Sequence, residues 1–299
     1  MIAQGESAEE KTMRIAVVSD TNTGFTPEEV KALGIELVQM PFMINEEVLY
    51  EYINFTHEEF FKRLAEKDTA ISTSQAPLAD VTDLWDRLLE THDAVVHIPT
   101  SSQLSGACST AMTLAEEYDG RVQVVDNRRI SVLLQEAVRD ALYLVKQGLS
   151  AEEIKARLED TSVDCSAYIM VDTMKYLKKG GRITPTAAAI GTVLNIKPIL
   201  ALQGGKLDAF SKTRGQKAAL TLMMETIQKE CDERFKAYKD RLELYVVHAN
   251  CLEEAQGFAK EVERAFPGKS VRIAPLSLSV ACHTGPGALA LAVVRSLQA

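Results

Sequence analysis

Residues 95–111 read VVHIPTSSQLSGACSTA. A β-branched run ends at Pro99, hydroxyl residues follow at Thr100, Ser101, Ser102 and Ser105, and Gly106 opens a series of small residues. No Lys, Arg, Asp or Glu interrupts the stretch. It reads as strand, loop and helix. In open α/β sheets, ligands bind in the crevice beyond the carboxyl ends of parallel strands, which is where these hydroxyls fall. The first N–H groups of the following helix have no intrahelical acceptor, and its dipole favours negative charge there. The stretch therefore predicts an anion site built from neutral donors.

The same alternation runs outward in both directions. Candidate strands are RIAVVS (14–19), IELVQMPFMI (35–44), AVVHI (94–98) and VQVVD (122–126). Helix starts lie between them: Thr26 with Pro27 and an acidic first turn, Thr56 with Glu59, and Ser150 with Glu153. The last two, Ser or Thr with Glu three residues on, are capping boxes. Leu134, Val138, Ala141 and Val145 recur at helical spacing, and Gly148 ends that helix. Strands alternating with helices predict a mostly parallel sheet with flanking helices.

The second half differs. SAYIMVDTM (166–174) reads as a strand and KPILALQGGKLDAF (197–210) as a hairpin turning at Gly204-Gly205. A helix spans about 215–235. Strands LYVVH (244–248) and SVRIAPLS (270–277) follow, then a final helix from about 286. The expectation is an α/β chain of two domains, 12–160 and 161–299, the second with antiparallel pairing.

Composition narrows the function. The chain has 299 residues, and its net charge of −9 argues against a nucleic-acid footprint. Five scattered Cys with no C-x-x-C pair fit a reducing cytoplasm and no zinc site. MIAQGESAEEK at the start is too polar for a signal peptide, and no apolar run approaches a membrane span. The expected location is cytoplasmic.

Two further segments resemble the opening one. Ser72-Thr73-Ser74-Gln75 precedes Pro77 and the helix LADVTDLWDRLLE, and His283-Thr284 precedes Gly285-Pro286-Gly287, read as a third helix start. Phosphate sites normally carry a Gly-rich loop with a Lys, and neither G-x-x-x-x-G-K-[ST] nor G-x-G-x-x-G after the first strand is present. Hydroxyls with one His suit a carboxylate. The small and aliphatic residues of 181–202 are candidates for lining an acyl tunnel.

These residues resemble the DegV family of bacterial fatty-acid-binding proteins. The matches are Ser72-Thr73-Ser74-Gln75, Ser101-Ser102-Gln103-Leu104-Ser105-Gly106, Gly181-Arg182-Ile183, Lys197-Pro198-Ile199-Leu200 and His283-Thr284-Gly285-Pro286-Gly287-Ala288-Leu289. Ser72, Ala76-Pro77 and Ala107-Cys108 depart from the family pattern. The resemblance implies a long-chain fatty acid between two α/β domains, its carboxylate held by Thr73, Ser102 and His283, with Ser74 and Ser105 beside them. It implies a non-enzymatic carrier that presents the acid to the catalytic subunit of a fatty-acid kinase, for conversion to acyl phosphate in phospholipid synthesis. It also implies a docking role for Arg214. No cofactor or metal is expected.

Two rivals stand beside this reading. A serine hydrolase would pair Ser102 or Ser105 with His283, but no G-x-S-x-G elbow is present. A binding module for another small anion would use the same hydroxyls. Two basic clusters, Lys178-Lys179-Arg182 and Lys212-Arg214-Lys217, are solvated faces by default. Against an acidic background they also suit partner docking, or transient contact with an anionic membrane surface.

Overall fold

The computed structural model describes residues 13–189 and 195–298. In chain order the strands and helices are β1 (Ile15–Asp20), α1 (Pro27–Leu33), β2 (Glu36–Val38), β3 (Phe42–Ile44), β4 (Glu47–Leu49), α2 (His57–Leu64), β5 (Ile71–Thr73), α3 (Leu78–Leu89), β6 (Ala94–His97), α4 (Ala107–Ala115), β7 (Val122–Val124), α5 (Val132–Lys146) and α6 (Ala151–Asp160). They continue with β8 (Cys165–Met170), α7 (Lys175–Gly180), α8 (Pro185–Ala188), β9 (Ile196–Gln203), β10 (Lys206–Arg214), α9 (Gln216–Asp232), β11 (Leu242–His248), α10 (Leu252–Ala265), β12 (Val271–Pro275), α11 (Leu278–Thr284) and β13 (Leu289–Arg295).

The first sheet is parallel, in the order β2-β1-β6-β7. Its central strands β1 and β6 are buried on both faces, so they read as continuous apolar runs. One face packs on α5 and α6 through Leu134, Val138 and Ile154. The other packs on α3 and α4 through Val81, Trp85 and Ala111. Thr56 and Ser150 form the expected capping boxes, and Thr26 forms a third with Glu29.

The second sheet has six strands in the order β10-β9-β8-β13-β11-β12. All its pairs are antiparallel except β11 with β12. Gly204 and Gly205, both at positive φ, turn the β9–β10 hairpin as expected. Side chains alternate across this sheet with the strand period of two. Leu289, Leu291 and Val293 face α9 and α10, whereas Ala290, Ala292 and Val294 join the cluster on the opposite, inner face.

Three expectations are corrected. The chain after Gly287 is not a helix: LALAVVR forms β13, the strand between β8 and β11. Ala and Leu favour helix, but burial on both faces of a central strand overrides that preference. His283 consequently lies near the end of a helix, α11, whose C-cap is Gly285, and not before a helix start. The run 35–44 is two strands in different sheets, β2 and β3, separated at Gln39–Pro41. Strand β3 joins β4 and β5 in a small antiparallel sheet. That sheet and α2 bury Phe42, Phe60 and Leu64 in the same cluster as Leu200, Tyr245 and Leu278 of the later part of the chain.

Candidate functional site

The inner face of the six-stranded sheet, α5, α11 and the loops after β5 and β6 enclose a cavity of about 220 Å³. Its floor follows from the strand alternation. Ala167 and Ile169 of β8, Ala290 and Ala292 of β13 and Val247 of β11 all point inward, with Ala292 registered against Ala167 and Ala290 against Ile169. Small side chains on adjacent strands leave the space open. Leu104, Ile130 and Leu276 add further apolar wall.

One end of the cavity is polar. Thr73 ends β5 and His283 lies in the last turn of α11; Thr73 Oγ1 and His283 Nε2 are 2.9 Å apart. Ser74, Ser105 and Arg182 stand on the same wall. Burial lowers the His283 pKa to about 4, and the Arg182 guanidinium pushes in the same direction, so the ring is neutral at pH 7. A neutral imidazole carries one N–H. With that proton on Nε2, Thr73 accepts from His283 and its own hydroxyl hydrogen is free to donate to a ligand oxygen. His283 Nδ1 is buried without a hydrogen-bond partner. The ring is wedged against Gly180, where a Cβ would stand 2.1 Å from Nδ1.

On the far side of the Thr73–His283 pair lies a wider cleft of about 710 Å³, which shares Thr73, Arg182 and His283 with the cavity. Lys67, Lys175 and Lys179 line it together with Glu66 and Asp68. The polar pair thus stands between a greasy cavity and a charged cleft with an excess of cations.

The remaining predicted residues are placed as follows. Ser102 is not on the cavity wall: its N–H and Oγ both donate to Asp126, at 3.2 and 2.5 Å. The cause is a turn in which Leu104 N–H and Ser105 N–H donate to Ser101 O. This turn directs Ser105 toward the cavity and Ser102 toward the end of β7. Arg214 is exposed at the end of the edge strand β10, remote from the cavity lining. Of the segment 181–202, Arg182 and Leu202 line the cavity, while 190–194 lie outside the described residues. No described group of His, Cys, Asp and Glu is arranged to hold a metal ion. Neither serine of the hydrolase reading bonds to His283: its Nε2 pairs with Thr73, Ser102 donates to Asp126, and Ser105 Oγ accepts from Ala107 N–H.

A second polar group on the wall joins Thr100 of the opening motif to three residues that no motif signals. Asn22, Thr100, Ser131 and Ser279 line the cavity and are all buried. Ser279 Oγ donates to Asn22 Oδ1, Asn22 Nδ2 donates to Thr100 Oγ1 at 2.9 Å, and Thr100 Oγ1 donates to Asp20 at 2.9 Å. Single polar residues far apart in the chain give no local pattern; the topology gathers them.

Fold and site together define an α/β protein with a largely apolar cavity that carries hydrogen-bonding side chains at one end and a second buried polar group on its wall. A sequence profile described as "Uncharacterised protein, DegV family" matches residues 14–296. A DegV domain-containing protein of Deinococcus radiodurans is 33% identical over 217 residues, covering 73% of this chain and 77% of its own. The chain belongs to the DegV family. Two solved structures share the fold over 95% of this chain and all of theirs. One, described as fatty acid binding of a DegV family protein from Thermus thermophilus, has a TM-score of 0.86 at 28% identity. The other, DegV from Bacillus subtilis, described as a fatty acid binding protein, has a TM-score of 0.83 at 27% identity.

Proposed function

We propose that the protein binds a long-chain fatty acid, with its carboxylate at Thr73 and His283 and its alkyl chain in the cavity. The observation that carries this is the pairing of the two at one end of a largely apolar cavity. Burying each methylene contributes about 0.8 kcal/mol without directional demands, so alanine-floored space suits an alkyl tail. A carboxylate needs donors, and the Thr73 hydroxyl, with Ser74, Ser105 and Arg182 on the same wall, supplies them. Ser102, bonded to Asp126, acts on this reading by fixing the turn that presents Ser105. The descriptions of the Thermus and Bacillus relatives as fatty-acid binding support the assignment.

On the same reading the protein is a carrier and not an enzyme. The carboxylate sits between the cavity and the charged cleft, where the catalytic subunit of a fatty-acid kinase reaches it to form an acyl phosphate for phospholipid synthesis. Arg214 and Arg182 belong to the docking surface, and brief contact with an anionic membrane lets the acid enter. A cytoplasmic location agrees with the five free cysteines among the described residues. No described helix is long and apolar enough to cross a membrane. On this reading the ligand lies between the proposed domains 12–160 and 161–299.

Native mass spectrometry after gentle purification tests the assignment. A stoichiometric long-chain acid is expected, lost in the double variant Thr73→Val/His283→Ala. A co-purifying phosphate ester, or lipid content unchanged in the double variant, overturns it. Arg214→Ala is expected to slow kinase-dependent phosphorylation of the bound acid.

A further inference from the structure

Helix α5 begins on the cavity wall. It has 15 residues, and Ser131, Val132 and Leu133 at its start all line the cavity. The first N–H groups of a helix have no intrahelical acceptor. Here the Ser131 side chain makes no capping bond, and backbone bonding begins with Leu134 N–H and Gln135 N–H donating to Ser131 O. Among the described residues nothing accepts from Val132 N–H or Leu133 N–H. Independently, Ser131 is 8% exposed, and its hydroxyl has no partner among the described residues although it stands on the cavity wall. Ser131 also holds a strained backbone, φ 56° and ψ −138°. Its N–H is spent on Asn22 O at 3.1 Å.

These free donors adjoin Asn22, which Ser279 ties to α11. Ser279 and His283 are four residues apart on that helix, so they share a face about one turn, roughly 5.4 Å, from each other. The cavity thus carries a second polar group whose Ser279 member lies about one helical turn from His283 and whose Asn22 member adjoins Ser131. A plain alkyl chain passing there would leave an N–H pair and a hydroxyl facing methylenes, which is unfavourable for buried polar groups.

We propose that this second polar group is a subsite for an oxygen on the acyl chain, and that the ligand class it favours is the fatty acid bearing a hydroxyl or oxo group near its carboxyl end. The Ser131 hydroxyl and the α5 N–H groups donate to that oxygen. A ligand hydroxyl can in turn donate to Asn22 Oδ1. The inference rests on the fatty-acid reading above and adds chain chemistry to it.

The test uses the delipidated full chain and competitive displacement of a fluorescent fatty acid. Palmitate is compared with 2-, 3- and 5-hydroxypalmitate, and stearate with 12-hydroxystearate. At least one of the three near-carboxyl hydroxy acids is expected to bind fivefold or more tighter than palmitate, and 12-hydroxystearate is expected to gain nothing over stearate. In Ser131→Ala the ratio of hydroxy-acid to palmitate affinity is expected to fall toward one, and Ser131→Thr to restore it. The proposal is overturned if no hydroxypalmitate outbinds palmitate in the unaltered protein, a result that needs no variant to fold. It is equally overturned if the preference survives Ser131→Ala. Failure to bind palmitate or any hydroxypalmitate would instead refute the fatty-acid reading itself.

Discussion

Substituting Gly180 with alanine should weaken the site while sparing the fold. Gly180 ends α7 against the ring of His283; a Cβ there would lie 2.1 Å from Nδ1, 2.9 Å from Cε1 and 3.2 Å from Cγ. Carbon and nitrogen atoms in ordinary contact stay about 3.5 Å apart or more, so the ring must retreat by roughly 1 Å or turn away. Its bond to Thr73 is 2.9 Å long, and a donor–acceptor distance of about 3.6 Å is no longer a hydrogen bond. The bond joins two neutral groups and contributes about 0.5–1.5 kcal/mol, so fatty-acid affinity should fall about 2- to 10-fold. The fold should tolerate the change, because Gly180 does not occupy the left-handed region and alanine favours helix over glycine by up to about 1 kcal/mol. Displacement titration with palmitate and a thermal melt measure both effects. Wild-type affinity in Gly180→Ala would refute the wedge, as would a Gly180→Ala/His283→Ala double variant weaker than His283→Ala alone. Without a ring to displace, the methyl group should add nothing.

Three further outcomes are expected. Ala290→Phe places a ring on the cavity floor in space for about four methylenes, so about 3 kcal/mol of tail burial is lost; lipid analysis should find the variant nearly empty yet folded by circular dichroism. The folded-state pKa of His283, near 4, lies below its ordinary value of 6.5. The unfolded chain therefore binds more protons between those values, and stability falls as pH drops from about 6.5 to about 4. The difference between the pH–stability curves of the unaltered protein and His283→Asn should show this slope, and NMR should show the His283 midpoint rising when a carboxylate is bound. Glu51, 5% exposed, accepts Leu278 N–H, the first of α11, at 2.8 Å and pairs with His57 at 2.6 Å. Glu51→Gln should cost about 1–2 kcal/mol in a denaturation experiment and also weaken palmitate binding, because the helix it anchors carries His283; a melt and affinity both unchanged would contradict that coupling.

The fold was legible where local signals and tertiary environment agree. Val17, Val18, Val95 and Val96 sit in strands sandwiched by helices, and continuous β-branched runs announce such strands. The capping boxes at Thr56 and Ser150 are local devices and read directly. The errors arise where burial competes with propensity: LALAVVR carries helix-favouring Ala and Leu, yet it fills the middle of a sheet. Helix α11, at seven residues, is too short to show a period. In the site, the resemblance drew attention to Thr73 and His283, which the structure places 2.9 Å apart although 210 residues separate them. Ser102 and Ser105 stand in the same motif, and only the turn at Ser101 distinguishes which hydroxyl faces inward. Asn22, Ser131 and Ser279 had no signal, since each is an isolated polar residue until the sheets assemble.

The position of β13 bears on how the protein is made. It is the last described strand in chain order, but it lies between β8 and β11, and the N–H of Leu297 just beyond it is held by Asp140 of α5 at 2.7 Å. During synthesis the neighbours on either side of it emerge first and must wait with unpaired edges. Ala290 and Ala292 arrive with this strand, so the cavity floor begun by Ala167, Ile169 and Val247 stays incomplete until β13 is made. A truncation that removes β13 would leave two half-sheets with sticky exposed edges in place of one sheet.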